Sequence, residues 1–328
     1  MYLASCIKHN SLLINLIFHL LLFCYATGQN SNLNKNNNNV KLQNNNKNSN
    51  VNDNEKNNAV LPVVSDADLQ RITEELFQRN SCCMYSNITV SYQGWIRGEN
   101  ITDNAPRPFL RIPPTVFSHP TIMKLTKLFD NYELEVSKKE VVTTEEGLEE
   151  DDFINTLISS DIITTTMNFL ATKGYFARNP ETYKNIFKSI WFQPYSRTKG
   201  AVGSSGFEHV FLVEKKKDDS IVGLHNWVYF AKQESLNNLN YLGYGRKILF
   251  DNKAAIARLH FNYKGKYKSS TMFVGTLPEL EIAVYTLCFY TRPDGRCRIS
   301  FAGNKFNIQT YTWKQNNKNF VGAVFPLL

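Results

Sequence analysis

The sequence predicts an α+β protein in which a helical N-terminal lobe, residues 61–192, precedes a sheet-rich C-terminal lobe, residues 193–328. Apolar residues in the first lobe recur every three or four positions, which is the period of an amphipathic helix. After Trp191 the pattern changes to short alternating runs separated by turn residues, which is typical of β-strands. Apolar residues make up 42% of the 328 positions, so the chain can bury a core and is neither fibrous nor wholly disordered.

The N-terminus has the features of a secretory signal peptide. Lys8 precedes an apolar stretch over residues 12–26, and the small residues Ala26 and Gly28 follow at cleavage-site spacing. The stretch is short for a spanning helix, although an uncleaved signal anchor is the alternative, and no other segment is as apolar. We therefore predict a signal peptide over residues 1–28, cleaved after Gly28, and a secreted protein without stable membrane insertion.

Residues 29–60 are predicted to be an Asn-rich disordered linker. Asparagine fills 16 of the 30 positions from 29 to 58, and few apolar residues are present. Such a tract cannot bury enough surface to offset the conformational entropy that it would lose on folding. The folded domain is therefore expected to span residues 61–328.

The first lobe contains four segments with a helical apolar period, which cover residues 66–78, 120–132, 149–172 and 180–191. Residues 120–161 carry 11 acidic and 4 basic side chains. This excess of negative charge makes the helical lobe an unfavourable place for a polyanion.

The second lobe combines strands with two helices. A strand is predicted over residues 209–214 from its alternation, and a helix over residues 225–234. Lys264-Gly265-Lys266 predicts the turn of a hairpin, and Thr276 with Glu279 predicts a capping box at the start of the second helix. Further strands are predicted over residues 254–263, 267–274, 297–301, 306–313 and 321–325.

Basic charge is concentrated in this second lobe. The whole chain has a formal net charge of +8, but residues 182–270 alone carry 15 Lys and Arg against 6 Asp and Glu. A basic surface binds nucleic acid largely because each neutralised phosphate releases condensed counterions. The charge distribution therefore favours a polyanionic ligand at the C-terminal lobe.

Four cysteines remain once the signal peptide is removed: Cys82, Cys83, Cys288 and Cys297. An even number permits two disulfides in an oxidising compartment, but their pairing is left open. A zinc site is not expected, because no second Cys or His pair stands at ligand spacing. Two glycosylation sequons, at Asn87 and Asn100, fit the secretory route.

Two histidines of the basic lobe stand in distinctive local settings, His209 after Gly206-Phe207-Glu208 and His225 after Gly223-Leu224. Cleavage of a phosphodiester by an internal 2′-hydroxyl needs one imidazole to take the hydroxyl proton and another to protonate the leaving 5′-oxygen. An ammonium group beside them stabilises the charge on the phosphorus. Only RNA has the 2′-hydroxyl, so this mechanism excludes DNA. A Cys–His hydrolase is disfavoured, because no cysteine has the setting of a nucleophile.

The segments around these histidines match a known pattern. They read Gly206-Phe207-Glu208-His209-Val210-Phe211, then Glu214, then Gly223-Leu224-His225-Asn226-Trp227, and the match continues in order over roughly residues 65–328. The sequence resembles the EndoU family, the poly(U)-specific endoribonucleases. The resemblance implies an EndoU-like fold and cleavage of single-stranded, U-rich RNA at uridines to 2′,3′-cyclic phosphate ends. It also implies dependence on Mn²⁺, for which the residues themselves show no ligand spacing.

The resemblance further implies roles for individual residues. His225 matches the catalytic base and His209 the catalytic acid, although the sequence leaves this order open. Lys268 is the expected catalytic lysine, with Lys266 as the alternative and otherwise as a substrate-binding residue.

Glu208 and Glu214 also match positions that are important in the family. On a regular strand both would point away from the face of His209, because side chains alternate. We therefore expect a supporting or ion-pair role for the two glutamates rather than direct binding of the metal.

The C-terminal segment departs from the family pattern, which is commonly Thr-x-Tyr-Pro where this chain has Ala323-Val324-Phe325-Pro326. Phe325 can stack on a base or sugar but has no hydroxyl, and Ala323 cannot donate a side-chain hydrogen bond. Ser270, or its neighbour Ser269, is expected to supply a polar contact to the substrate. The departure predicts retained RNA binding with weaker uridine preference or lower turnover.

Two hypotheses of different classes follow. The first is a secreted endoribonuclease, and the alternative is a catalytically weakened, secreted RNA-binding or interaction protein that keeps the same fold. Retention of two histidines and a lysine favours the enzyme. The absence of a long exposed apolar seam in the sequence predicts a monomer.

Overall fold

Helices are the main secondary structure in the N-terminal half of the described residues; the computed structural model describes residues 63–80, 84–98, 102–198 and 200–328. The first helix begins at a capping box, in which Ser65 and Asp68 each bind the other's backbone N–H, and it buries Leu69, Ile72 and Leu76 on one side. The helices of this half are α1 (Asp66–Arg79), α2 (Met84–Asn87), α3 (Pro120–Lys127), α4 (Thr144–Ile158), α5 (Asp161–Thr172) and α6 (Pro180–Phe187).

The segment predicted as one helix over residues 149–172 is two helices. The side chain of Ser160 accepts a hydrogen bond from the backbone N–H of Ile163, so a new helix starts there. The apolar spacing continues across the break, which is why the periodicity alone did not reveal it. At its end, α6 continues into one π-helical turn, Lys188–Phe192.

The strands of the C-terminal half are β3 (Val213–Lys215), β4 (Ile221–Gly223), β5 (Leu239–Phe250), β6 (Ala254–Tyr263), β7 (Lys266–Val274), β8 (Arg296–Phe301), β9 (Asn304–Gln315) and β10 (Lys318–Leu327). They form two three-stranded antiparallel sheets, ordered β5-β6-β7 and β10-β9-β8, and the small pair β3-β4. The predicted hairpin is confirmed, with Tyr263 opposite Lys266 across the turn. A further short pair, β1 (Thr89–Val90) with β2 (Leu110–Arg111), lies in the N-terminal half.

Three helices accompany these sheets: α7 (Gly206–Phe211), α8 (Trp227–Ser235) and α9 (Pro278–Thr291). Every residue of α9 except Tyr290 is buried, so this helix forms the centre of the core. A disulfide joins Cys288 at its end to Cys297 on β8. Closing this short loop stabilises the fold by about 2–3 kcal/mol.

Two predictions for this half were wrong. Residues 209–214 are not a strand, because α7 covers the first three of them and β3 begins only at Val213. All six residues of α7 are buried, including the polar Glu208 and His209, so its polar positions do not mark a solvent-exposed helix face. The capping box of Thr276 and Glu279 is also absent: α9 starts after Leu277 without a side-chain cap, and the Thr276 hydroxyl donates instead to Glu281.

The α+β class, with helices mostly N-terminal and sheets mostly C-terminal, is therefore confirmed. All described residues belong to one compact unit, residues 59–328. Among them, no helix combines the length and hydropathy needed to cross a bilayer. The segments predicted as a signal peptide and an Asn-rich linker, together with Cys82, Cys83 and Asn100, lie outside the described residues.

Candidate active site

A cavity of about 380 Å³ collects most of the predicted site residues. Its walls come from five parts of the chain: α7, the end of β4 with the turn that follows it, strand β6, the edge strand β7 and strand β10. The predicted site residues that line it are His209, His225, Lys268, Ser270 and Phe325.

A close backbone approach brings the two histidines together. Gly223 has φ of +77°, and a Cβ at this position would lie 2.1 Å from the carbonyl oxygen of His209. Leu224 also adopts a left-handed φ of +63°, which is strained for a residue with a side chain. The turn directs the backbone N–H of His225 to the carbonyl of Val210, at 2.8 Å. The imidazole centroids are consequently 6.2 Å apart.

The ring of His225 is held from one side by main-chain and hydroxyl groups. Its Nδ1 lies 2.9 Å from the carbonyl oxygen of Thr271 and 2.9 Å from the hydroxyl of Ser270, which itself donates to the Leu224 carbonyl. A carbonyl can only accept, so Nδ1 carries the proton and Nε2 keeps a free lone pair. Burial, aided by the charge of Lys268, lowers the pKa of His225 well below 6.5.

His209 has a different partner. Its Nδ1 lies 2.5 Å from Oε2 of Glu214, and the other oxygen of that carboxylate accepts from Ser204 and pairs with Arg197 at 3.3 Å. Burial lowers the pKa of His209, and the Glu214 carboxylate opposes this shift by stabilising the imidazolium. The expectation that both glutamates face away from His209 is therefore wrong for Glu214, because α7 replaces the strand and β3 returns beside it.

Glu208 is buried without a hydrogen bond to either carboxyl oxygen from the described residues. Burial, together with the nearby charge of Glu214, raises its pKa well above the usual 4.5. The buried environment therefore favours the protonated form of Glu208, which forms no ion pair within the described part of the chain.

The two candidate lysines lie in different environments. Lys268 lines the cavity, and burial, with a smaller contribution from Lys216, lowers its pKa to about 8. Lys266 is half exposed and points to Asp219, with Nζ and Oδ2 separated by 3.8 Å. Only Lys268 is therefore placed beside the two histidines.

Phe325 packs directly against the catalytic region. Its ring stacks on His225 with centroids 4.7 Å apart and an interplanar angle of 12°. The stack occupies one face of Phe325, so a base or sugar can reach only the other face. Ala323 sits opposite Tyr311 on the neighbouring strand.

Sequence and structure comparisons agree with this geometry. The family model described as Endoribonuclease XendoU matches residues 68–326. The chain belongs to the XendoU endoribonuclease family. It is 34% identical over 284 residues to uridylate-specific endoribonuclease C of Xenopus laevis, covering 83% of this chain and 93% of that protein. It is 32% identical over 272 residues to uridylate-specific endoribonuclease EndoU of Drosophila melanogaster, covering 81% of this chain and 84% of that protein.

The solved structure of XendoU, entitled a splicing independent snoRNA processing endoribonuclease, shares the fold of this chain. It aligns with a TM-score of 0.66 and 28% identity, over 80% of this chain and 97% of that one. The predicted membership of the EndoU family is thus confirmed.

The described residues do not form a metal site. They contain no group of three or more His, Cys, Asp or Glu side chains that could hold an ion. Glu214 is already bound to three protein groups, and burial raises the pKa of Glu208, which favours its protonated form. The residues present therefore do not fit a protein-held Mn²⁺ ion, although the XendoU resemblance implies one.

Sequence reasoning missed Arg197 and Thr271, which respectively hold Glu214 and His225. Thr271 binds His225 through its main-chain carbonyl, a group that every residue has, so the residue type gives no indication of this contact. Arg197 lies in a loop, where no local pattern distinguishes it from the other basic residues of the C-terminal half.

Replacing Glu214 with glutamine tests the electrostatic coupling in this XendoU-family site. We expect Glu214→Gln to lower the pKa of His209 further, because the anion that stabilises its imidazolium is lost while the shape of the side chain is kept. NMR titration of the imidazole protons measures this shift. His119, which binds Thr121 and does not line the cavity, is the internal control. An unchanged pKa of His209 would show that Glu214 does not support its protonated form.

Proposed function

We propose that this protein is an endoribonuclease that cleaves single-stranded RNA, preferentially at uridines, and leaves 2′,3′-cyclic phosphate ends. The observation that carries the proposal is the placement of two histidines in one cavity with Lys268. One histidine binds a carboxylate through Nδ1 and the other binds a neutral main-chain carbonyl. Membership of the XendoU family supports the reaction class, and the names of the relatives in Xenopus laevis and Drosophila melanogaster support the choice of uridine.

His225 is assigned the role of general base. Its lowered pKa keeps the imidazole neutral near pH 7, and its Nδ1–H is fixed by the Thr271 carbonyl. Nε2 is then available to take the proton from the 2′-hydroxyl of the nucleotide in the cavity.

His209 is assigned the role of general acid. The Glu214 carboxylate on Nδ1 favours the imidazolium, which can protonate the leaving 5′-oxygen through Nε2. Bound phosphate adds negative charge beside the ring and raises the protonated fraction further. After the transfer His209 is neutral and His225 is charged, so the pair must exchange protons with solvent before the next turnover.

Lys268 is assigned the stabilisation of the phosphate. Its pKa of about 8 leaves the ammonium mostly protonated at pH 7, where it can offset the charge that develops on the non-bridging oxygens. The reaction consumes the 2′-hydroxyl, so DNA is not a substrate.

Any effect of Mn²⁺ is proposed to act without a cage of protein ligands. The described residues offer no such cage, and the proton transfers above need only the histidines and the lysine. Activity is accordingly expected to persist at a reduced level in EDTA.

Cleavage assays test these roles. We expect His225→Ala and His209→Ala each to lose about 10²- to 10⁴-fold in kcat on a U-rich oligonucleotide, the usual contribution of one acid or base group. Lys268→Ala should lose about 10²- to 10³-fold, comparable to removal of an oxyanion donor, whereas Lys266→Ala is expected to stay within about twofold of wild type. Cyclic-phosphate termini are identified by mass spectrometry.

The outcome also separates the two classes of function. No cleavage by wild type with or without Mn²⁺, combined with tight binding of the same RNA, would favour the weakened RNA-binding protein. Equal losses for Lys266→Ala and Lys268→Ala would overturn the assignment of the lysine.

The C-terminal departure yields a second prediction. Introducing Ala323→Thr and Phe325→Tyr together restores the hydroxyls of the family pattern, so the ratio of kcat/KM for a single-uridine oligonucleotide to that for its single-cytidine counterpart should rise. Gain of one or two hydrogen bonds corresponds to roughly tenfold. The single variant Ala323→Ser is the intermediate control. A wild-type ratio that already exceeds that of the double variant would refute the expectation of weakened preference.

Secretion is proposed from the N-terminal sequence, and a monomer is the expected form. Asn87 is exposed at the end of α2, so its sequon is open to glycosylation, and the disulfide of Cys288 with Cys297 fits an oxidising compartment. In a secreting eukaryotic cell, we expect the protein in the medium to begin at Gln29 by N-terminal sequencing. A version lacking residues 2–28 should remain inside the cell. Retention of the uncleaved chain in the membrane fraction would favour a signal anchor instead.

A further inference from the structure

A second and larger groove, of about 800 Å³, lies against the sheet β5-β6-β7. Along β6 the side chains of Arg258 and His260 face this groove, whereas the alternate residues Leu259 and Phe261 face the core. Arg258 and Ser269 line both this groove and the catalytic cavity. The two depressions are therefore continuous across β7, the edge strand of the sheet.

The groove is strongly basic. Three arginines line it, Arg97, Arg246 and Arg258, and no acidic residue does. Within the described part of the chain the side chains of Arg97 and Arg246 form neither an ion pair nor a hydrogen bond, whereas Arg258 donates to an oxygen of Leu328, the last residue of the sequence. Guanidinium groups without a carboxylate partner are suited to bind phosphate oxygens.

Exposed aromatic rings stand among these charges. Trp95 is 56% exposed, yet its indole N–H is fixed to the carbonyl of Gly245 at 2.7 Å. Tyr267 is 38% exposed, and its hydroxyl lies 2.7 Å from Nδ1 of His260. Rings that are held in place while a face stays open are platforms on which unpaired bases stack.

A glycine keeps the floor of the groove open. A Cβ at Gly245 would come within 2.9 Å of Nε2 of His260 and 3.4 Å of Cδ of Arg258. Any larger residue here would have to shift the imidazole of His260, whereas its contact with Arg258 would be an ordinary van der Waals contact.

We propose that this groove binds the nucleotides that flank the one in the catalytic cavity, with Arg97 and Arg246 on the phosphates and Trp95 under a base. Charge, stacking surface and continuity with the cavity all fit single-stranded RNA, whereas a duplex would hide its base faces. This proposal rests on the proposed function, because the groove and the cavity would hold one strand. The groove makes affinity depend on the length of the RNA.

The test compares two substrates and two matched double variants. Arg97→Ala/Arg246→Ala removes two groove charges, and Arg296→Ala/Arg298→Ala removes two charges from exposed positions on β8. On a 14-nucleotide RNA with one uridine, we expect the groove variant to lose about tenfold in kcat/KM and the β8 variant less than twofold. On the dinucleotide UpA, which is too short to reach the groove, both should stay within about twofold of wild type.

Binding provides a readout that does not need catalysis. Fluorescence anisotropy of the labelled 14-nucleotide RNA is measured on His225→Ala at several salt concentrations. The groove double variant should reduce the slope of log Kd against log salt by about 1.4, which is 0.7 for each lost phosphate contact with a single strand. Trp95→Ala should weaken binding with little change in the salt slope. Trp95→Phe, which keeps an aromatic ring, should bind more tightly than Trp95→Ala and less tightly than the parent.

The outcomes distinguish the two proposals. Equal effects of the groove and β8 variants on the long RNA, or equal losses on UpA and on the long RNA, would overturn the groove. Failure of wild type to cleave either substrate would overturn the proposed function. The anisotropy measurements would still show whether the groove binds RNA, because they do not require cleavage.

Discussion

The close approach of Gly223 to the carbonyl of His209 is the constraint on which the rest of the site depends. No side chain fits at this position, and the left-handed turn that follows is needed to bring the N–H of His225 onto Val210. With a larger residue the backbone would have to move apart, and the imidazoles would separate with it. The positions of both histidines are therefore fixed by the main chain, and their protonation is adjusted by side chains.

Buried charge near the site is arranged asymmetrically. Arg197 neutralises Glu214, which lets a carboxylate remain ionised beside His209, whereas Glu208 has no ion-pair partner among the described residues and burial raises its pKa. His225 faces the positive Lys268 and a main-chain carbonyl. Two chemically identical side chains thus acquire different proton affinities through their neighbours, which is the condition for acid and base to act together.

Local signals were sufficient where the structure is local. The hairpin β6–β7 was predictable because its turn residues and alternation lie within 20 residues of sequence. The segment at His209 was not, because α7 has only six residues and all of them are buried, including the polar Glu208 and His209, so its sequence shows no helical period. Because this segment was predicted as a strand, the contact of Glu214 with His209 was not predicted either. The stack of Phe325 on His225 depends on tertiary packing, which no local pattern indicates. Trp95 reaches Gly245 across 150 residues of sequence, so no pattern of neighbours could have indicated the groove.

The position of β10 in the chain has a consequence for biosynthesis. Phe325 reaches His225 only after β10 has paired with β9, and the carbonyls of Val321 and Gly322 accept the hydrogen bonds of Tyr195 and Arg197. β10 is synthesised after every element that precedes it in sequence, so a growing chain lacks this support for Glu214 and this wall of the cavity. In the proposed ribonuclease, completion of the cavity therefore depends on a strand that is synthesised after both histidines and Lys268.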